Sequence, residues 1–349
     1  MAMTIIVEPT RNVTGGVDTH LDVHVAAVLN EIGGLLATES FDANRAGEDG
    51  LVGWMESFGP LACVGVEGTG SYGAGLARLF AASGIKVVEV DRPNRQVRRR
   101  QGKTDTLDAI EAARAAQSGR ATGRAKSRDG NAEAIRVLIV ARRSARSTKT
   151  KSLNQIRHLG FTAPNPLRER LSGLTAARLA VEAASLRPRA GPDTVTFATK
   201  TSLRILGRRV LAIDAELAQI DARLSELVSA TAPQLLELHG VGTNTAALLL
   251  VTAGDNPQRL RSEASWAHLC GVSPIQASSG KVTRHRLNSS GDRQANHALW
   301  RIALTRMSND PRTRFYVERR TAEGKSKAEI MRILKRYIAR EVFPLLPRP

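Results

Sequence analysis

Two carboxylates three residues apart, Asp105 and Asp108, follow directly on the cations Arg98, Arg99, Arg100 and Lys103. Apolar Leu107, Ile110, Ala113 and Ala115 recur at helical spacing behind them, and Thr104 stands where a hydroxyl would cap that helix. Residues i and i+3 share a helix face, so the two acids point the same way. Like charges so placed repel unless a cation lies between them, and ligands that are all oxygen suit Mg²⁺ or Mn²⁺. An acidic first turn that merely complements the helix dipole has the same pattern. The rest of the chain must decide between the two.

A second set of residues capable of chemistry lies far downstream. Ser278-Ser279-Gly280 occupies a turn-rich stretch flanked by Lys281, Arg284, Arg286 and Arg293. A serine hydroxyl can attack a phosphodiester and keep its energy as a phosphoserine ester. Nearby cations would stabilise the charge that grows on the phosphate. Serine and glycine are also ordinary loop residues, so the triplet alone is ambiguous.

The elements that must position these groups are legible in outline. Residues 13–20 read as a strand ending near Asp18, 23–29 and 35–41 as two more, and 47–58 as a helix. The apolar run 61–66 is a buried strand. It ends in Glu67-Gly-Thr-Gly-Ser-Tyr72-Gly, which starts a helix over 72–82, and 85–90 is a further strand. Three strands, helix, strand, helix, strand, helix is the order of an RNase H-like domain. In such a sheet Asp18, Glu67, Asp105 and Asp108 lie at element ends that converge, so four carboxylates share one site. Asp22 and Asp91 have no place in it and are read as turn or surface residues.

Residues 133–159 read as a basic helix with Arg142, Arg146 and Lys149 on one face and Arg143 beside them, either a solvated face or a phosphate contact. Leu203, Leu206, Val210, Ile213, Leu217, Ile220, Leu224 and Leu227 alternate spacings of three and four. That is an a/d seam in need of a partner helix. The partner is either the 133–159 helix or a second protomer, and a protruding coiled coil used for dimerisation is the favoured expectation. Further on, Gly240-Val-Gly242 between apolar helical runs has a helix-hairpin-helix look, which would offer backbone N–H groups to a phosphate, although a plain helix–helix turn fits equally.

Charge is unevenly spread over the 349 residues. The net is +18, made of −8 over 1–91, +12 over 92–151 and +14 over 152–349. An acidic block that holds cations, followed by basic material that grips phosphates, fits a nucleic-acid partner. Three Trp and three Tyr leave few base-stacking platforms. Cys63 and Cys270 sit in apolar surroundings without metal spacing and are expected as core thiols of a cytoplasmic protein. No run approaches a membrane span and no signal peptide is visible.

Gly16-Val-Asp18, Val66-Glu67-Gly-Thr-Gly-Ser-Tyr72 and Lys103-Thr-Asp105-Thr-Leu-Asp108-Ala resemble the segments of DEDD transposases. These are the recombinases of the IS-one-ten insertion-sequence family, related to the Piv-type invertases. The segment around Ser279, with Gly291 and Arg293, resembles that family's C-terminal domain. The resemblance implies three parts: a RuvC-like DEDD domain over 1–125, a basic helical coiled-coil region over 126–230, and a mainly helical transposase domain over 231–349. It implies that Asp18, Glu67, Asp105 and Asp108 bind Mg²⁺ or Mn²⁺ and that Ser279 is the nucleophile. It further implies DNA substrates, a structured bridge RNA that pairs with donor and target, and a homo-oligomer. Where many relatives carry an Arg this chain has Asn296, which puts a second phosphate clamp there in doubt. The main rival is a RuvC-like nuclease using metal-activated water. An actin-like ATPase and a non-catalytic RNA chaperone fit the basic surplus or the acids less well.

Overall fold

The computed structural model describes residues 11–90, 104–255, 260–280 and 285–347. The chain divides into two compact units, Met1–Asp129 and Gly130–Pro349.

The first unit is built on one mixed sheet. Its strands are β1 (Val13–Thr19), β2 (Val23–Leu29), β3 (Leu35–Asp42), β4 (Leu61–Glu67) and β5 (Val87–Val90), in the order β3-β2-β1-β4-β5. β1, β2 and β3 pair antiparallel, and β4 and β5 join parallel to β1. The succession of elements along the chain and the mixed sheet are as expected, and the arrangement is consistent with a RuvC-like domain. Helices α1 (Arg45–Glu56) and α2 (Ala74–Ala82) cover one face, and α3 (Asp105–Gln117) covers the other. Helix α1 starts two residues before the expected position because the Asn44 side chain caps it, accepting from the Gly47 N–H at 3.0 Å.

The two faces differ in side-chain size, and that difference places α3. The α1/α2 face buries Leu51, Met55, Leu76 and Phe80 against Val17, Val28 and Val66. The α3 face is made of Ala109, Ala112, Ala115 and Ala116 against Val25, Ala27, Cys63, Val88 and Val90. Gly16 and Gly65 are paired across β1 and β4. A Cβ on Gly16 would lie 2.2 Å from the Ala109 carbonyl oxygen, and one on Gly65 2.2 Å from that of Ala112. The helix backbone therefore rests directly on the strand backbones.

The second unit is helical apart from one two-stranded ribbon. Its long helices are α4 (Asn131–Thr162) and α7 (Thr194–Thr231), with α5 (Asn165–Leu171) and α6 (Ala176–Ser185) between them. Then follow α8 (Gln234–Glu237), α9 (Thr243–Ala253), α10 (Glu263–Leu269), the ribbon β6 (Ile275–Gln276) and β7 (His285–Arg286), α11 (Arg293–Asn309), α12 (Pro311–Ala322) and α13 (Lys327–Val342). Helix α4 has glycine at its N-cap. Asp255 supplies the missing acceptor, taking the N–H groups of Ala132 and Glu133 at 2.7 and 3.1 Å.

The a/d seam is covered within the same chain. Arg142 pairs with Asp221 and Lys149 with Asp214, so seven residues forward along α4 is seven back along α7. The two helices run antiparallel. Leu203 and Val210 join Leu153 and Ile156 in one core, together with Leu179 and Leu186. Leu224 and Val228 join Ile135 and Ile139 in another, which continues into Leu249, Trp266, Leu299 and Ile338. The helical middle and the C-terminal stretch thus share a core. The expectation of a seam turned outward toward a second protomer is corrected here: α4 and α6 cover most of it. No helix among the described residues is long and apolar enough to cross a membrane.

Candidate functional site

Asp18 is the next-to-last residue of β1 and is only 6% exposed. Alternation along the strand puts it on the same face as Gly16, the face that α3 covers. Glu67 closes β4, two residues after Gly65 and so on that face as well, and is half-buried. Thr19 Oγ1 donates to the Glu67 carbonyl at 2.8 Å, which ties the two strand ends together. Beyond Glu67 the chain turns at Gly68 with φ +77°, and buried Thr69 donates to Glu89 Oε1 at 2.5 Å.

Thr104 caps α3 by accepting from the Leu107 N–H at 3.2 Å. That cap brings Asp105 and Asp108 into the first turn, Asp105 exposed and Asp108 2% exposed. Both act on the charge of Asp18. Burial pushes the Asp18 carboxyl above the ordinary carboxylate range; His20 opposes this, and the charges of Asp108 and Asp105 add to it. A buried carboxylate held beside others, with its ionised form disfavoured, has the donor chemistry a divalent cation would satisfy.

His20 is a member of this site that the sequence reading passes over. Its Nε2 lies 3.1 Å from Asp18 Oδ2 and 3.5 Å from Asp105 Oδ1. The Asp18, His20 and Asp105 donor atoms all fall within 4.8 Å of one another. The available signal was the i, i+2 spacing of Asp18 and His20 at a strand end.

In the second unit Ser279 and Gly280 lie exposed in the connection between β6 and β7, and Gly280 adopts φ +57°. The base of this ribbon is tightly held. A Cβ on Gly291 would lie 2.3 Å from the Gly271 Cα, and Gly271 itself has φ +67°. Asn296 Nδ2 donates to the Cys270 and Gly271 carbonyls at 2.9 and 3.2 Å, and Asn288 Nδ2 to that of His268 at 2.9 Å. Lys335 Nζ donates to Asn296 Oδ1 at 2.8 Å. Asn296, read as the loss of a phosphate clamp, is an anchor of the serine-bearing ribbon.

The expected nucleic-acid contacts divide into four groups. Arg98, Arg99, Arg100, Lys103, Lys281, Arg284 and the turn residue Asp91 lie outside the described residues. Arg142 donates to Asp221 and, at 2.8 Å, to Asn244 Oδ1, and Lys149 pairs with Asp214. These two stitch α4 to its neighbours, whereas Arg143, Arg146 and Arg293 are exposed. The Gly240–Gly242 turn joins α8 to α9, with Gly240 at φ +79° and Gly242 as the N-cap of α9. Because α8 is a single turn, the expected helix-hairpin-helix has only one full helix. A further basic cavity of about 640 Å³, lined by Arg170, Arg187, Arg189, Lys200 and Phe197, has a sequence trace only in Arg187-Pro-Arg189 between helix breaks.

The first unit thus carries an acid-lined sheet end and the second an exposed serine on its ribbon. Comparison with known proteins gives the family. A family model described as Transposase, of the DEDD type of insertion sequence IS110, matches residues 15–159. A second, described as Transposase IS116/IS110/IS902 family, matches residues 232–318. The chain is also similar to an uncharacterized 43.6 kDa protein of insertion element IS110 from Streptomyces coelicolor. The two are 31% identical over 144 residues, 40% of this chain and 35% of that protein. A 42 kDa protein of insertion element IS900 from Mycobacterium paratuberculosis is 27% identical over 165 residues, 46% of this chain and 41% of that protein. The chain thus aligns with well under half the length of these curated relatives. With both family domains matched in order, it belongs to the IS110/IS116/IS902 family of insertion-sequence transposases.

Proposed function

We propose that the chain is the recombinase of an insertion sequence, cutting and rejoining DNA through a phosphoserine intermediate formed at Ser279. The observation that carries this reading is the convergence of Asp18 with Asp105 and Asp108 of the first turn of α3, in a chain that also presents Ser279 on an anchored ribbon. Asp18, Glu67, Asp105 and Asp108 would hold Mg²⁺ or Mn²⁺, which when bound polarises the scissile phosphate and stabilises the departing oxygen. Ser279 Oγ attacks phosphorus as its hydroxyl proton leaves. The bond to one sugar oxygen breaks, and that oxygen departs as an alcohol once protonated. Reversal of the same step by another strand's hydroxyl rejoins DNA without an external energy source. Exposed cations of the second unit, among them Arg143, Arg146 and Arg293, hold phosphates. A structured bridge RNA supplies sequence choice by base pairing, and two or more copies hold the duplexes together.

The test is trapping of the covalent intermediate. Purified protein is mixed with radiolabelled donor DNA in Mg²⁺ and denatured in detergent. Wild type is expected to leave label on the protein, and Ser279→Ala to leave none. An undiminished adduct in the variant refutes the nucleophile, and strand nicks without any adduct favour metal-activated water. RNA that co-purifies with the chain and matches DNA flanking its gene would support the guide.

A further inference from the structure

We infer that His20 is a nitrogen donor of the acidic site and that it tilts the site's preference from Mg²⁺ toward Mn²⁺. The inference rests on the reading that these carboxylates hold a divalent ion, and it adds a residue and a selectivity to that reading. His20 leaves the end of β1 two residues after Asp18, which places it on the same face. Its Nε2 stands 3.1 Å from Asp18 Oδ2 and 3.5 Å from Asp105 Oδ1. Adjacent ligands of an octahedral ion, each about 2.1 Å from it, lie about 3 Å apart. His20 Nε2 therefore already stands near a neighbouring-ligand spacing from each acid, and all three donor atoms lie within 4.8 Å of one another. Asp105 is exposed and the His20 side chain 43% exposed, so both have room to shift by the few tenths of an ångström an ion requires.

The alternative use of His20 is as a hydrogen-bond donor that only orients Asp18. The two uses have different chemical consequences. Mg²⁺ takes oxygen ligands and keeps its waters, whereas imidazole nitrogen is accepted readily by transition ions. A nitrogen ligand therefore changes the ratio of the two affinities. An orienting donor, which acts through an oxygen ligand, changes both together. Among the described residues His20 has no polar partner besides these two acids, so its place is not explained by a structural contact elsewhere.

The experiment uses the full chain stripped of metal. Mn²⁺ binding is followed by the electron paramagnetic resonance signal of the free ion, and Mg²⁺ binding by its displacement of Mn²⁺. His20→Ala is expected to weaken Mn²⁺ about tenfold while changing Mg²⁺ by no more than about twofold. Nitrogen modulation in the spin-echo spectrum of bound Mn²⁺ is expected in wild type and lost in His20→Ala. Equal losses for both ions, or no loss, or nitrogen modulation that survives the substitution, would overturn the assignment. The double variant Asp18→Asn with Asp105→Asn separates the two ideas. If it binds Mn²⁺ as wild type does, the metal reading itself fails. If it loses Mn²⁺ while His20→Ala behaves as wild type, only the role of His20 fails.

Discussion

Adding one methyl group beneath α3 should dismantle the acidic site without touching an acid. In Gly16→Ala the new Cβ would meet the Ala109 carbonyl oxygen at 2.2 Å and the Ala113 nitrogen at 2.4 Å, against the 3.4 Å at which ordinary contact begins. Both are backbone atoms, so no rotamer change relieves the clash. The helix has to move off the strand by about 1 Å, and overpacking of this kind typically costs about 1–3 kcal/mol. Asp105 and Asp108 ride on that helix while Asp18 stays on β1. A misplacement of about 1 Å at a catalytic centre can cost about a hundredfold. Gly65→Ala should act in the same way through Ala112.

The assay pairs a melting curve with an Mn²⁺ titration, and Gly53 provides the control. Gly53 lies within α1, and a Cβ there meets nothing within 4 Å. Gly53→Ala should therefore stabilise the chain by about 0.5–1 kcal/mol through helix propensity. Gly16→Ala is expected to melt several degrees lower than wild type, on the order of 5–10 °C, and to bind Mn²⁺ at least tenfold more weakly. If Gly16→Ala keeps both the melting temperature and the Mn²⁺ affinity of wild type, the claim that strand–helix backbone contact positions the acids is wrong.

The remaining two predictions concern Asp18 and the ribbon base. A carboxyl whose folded pKa is raised binds its proton more readily when folded, so ionised Asp18 opposes folding at neutral pH, and that penalty fades as the pH falls through its folded value. Asp18→Asn should therefore raise the melting temperature of the metal-free protein at pH 7 and lose this advantage in acid, while abolishing Mn²⁺ binding. A lower melting temperature at pH 7 would contradict the burial argument. In Gly291→Ala the Cβ would press on the Gly271 backbone at 2.3 Å, which should cost about 1–3 kcal/mol. The covalent DNA adduct should fall with it although Ser279 is intact. Calorimetry and adduct trapping check both, and an unchanged melting temperature would show that the base is not held by this contact.

The first unit was legible in the sequence because its signals are local. Alternation, the Thr104 cap and the glycine turn after Glu67 each lie within a few residues of the element they define. The Asn44 cap, equally local, is passed over in the sequence reading, and α1 is expected two residues late. The second unit hides its logic at long range. The seam from Leu203 to Leu227 shows that a partner helix exists, yet spacing alone cannot name the partner. Arg142, Arg146 and Lys149 look alike along one face, but Asp221 and Asp214, which occupy two of them, lie 79 and 65 residues away in the chain. The i, i+2 spacing of Asp18 and His20 is a weak signal by itself, and it gains meaning only once Asp105 at the start of α3 is folded against His20.

The same distinction explains Asn296. Set beside relatives with a cation at that position, the side chain reads as a missing phosphate contact. In the fold it spans the carbonyls of Cys270 and Gly271 on one side and Lys335 on the other. Burial holds the Lys335 pKa below its ordinary value, so its ammonium is already partly desolvated and Asn296 Oδ1 offsets that cost. An arginine at position 296 would set a second cation against Lys335 and give up the acceptor that Lys335 uses. The asparagine therefore belongs with Lys335 as a pair, and the pair holds the base of the ribbon on which Ser279 is carried.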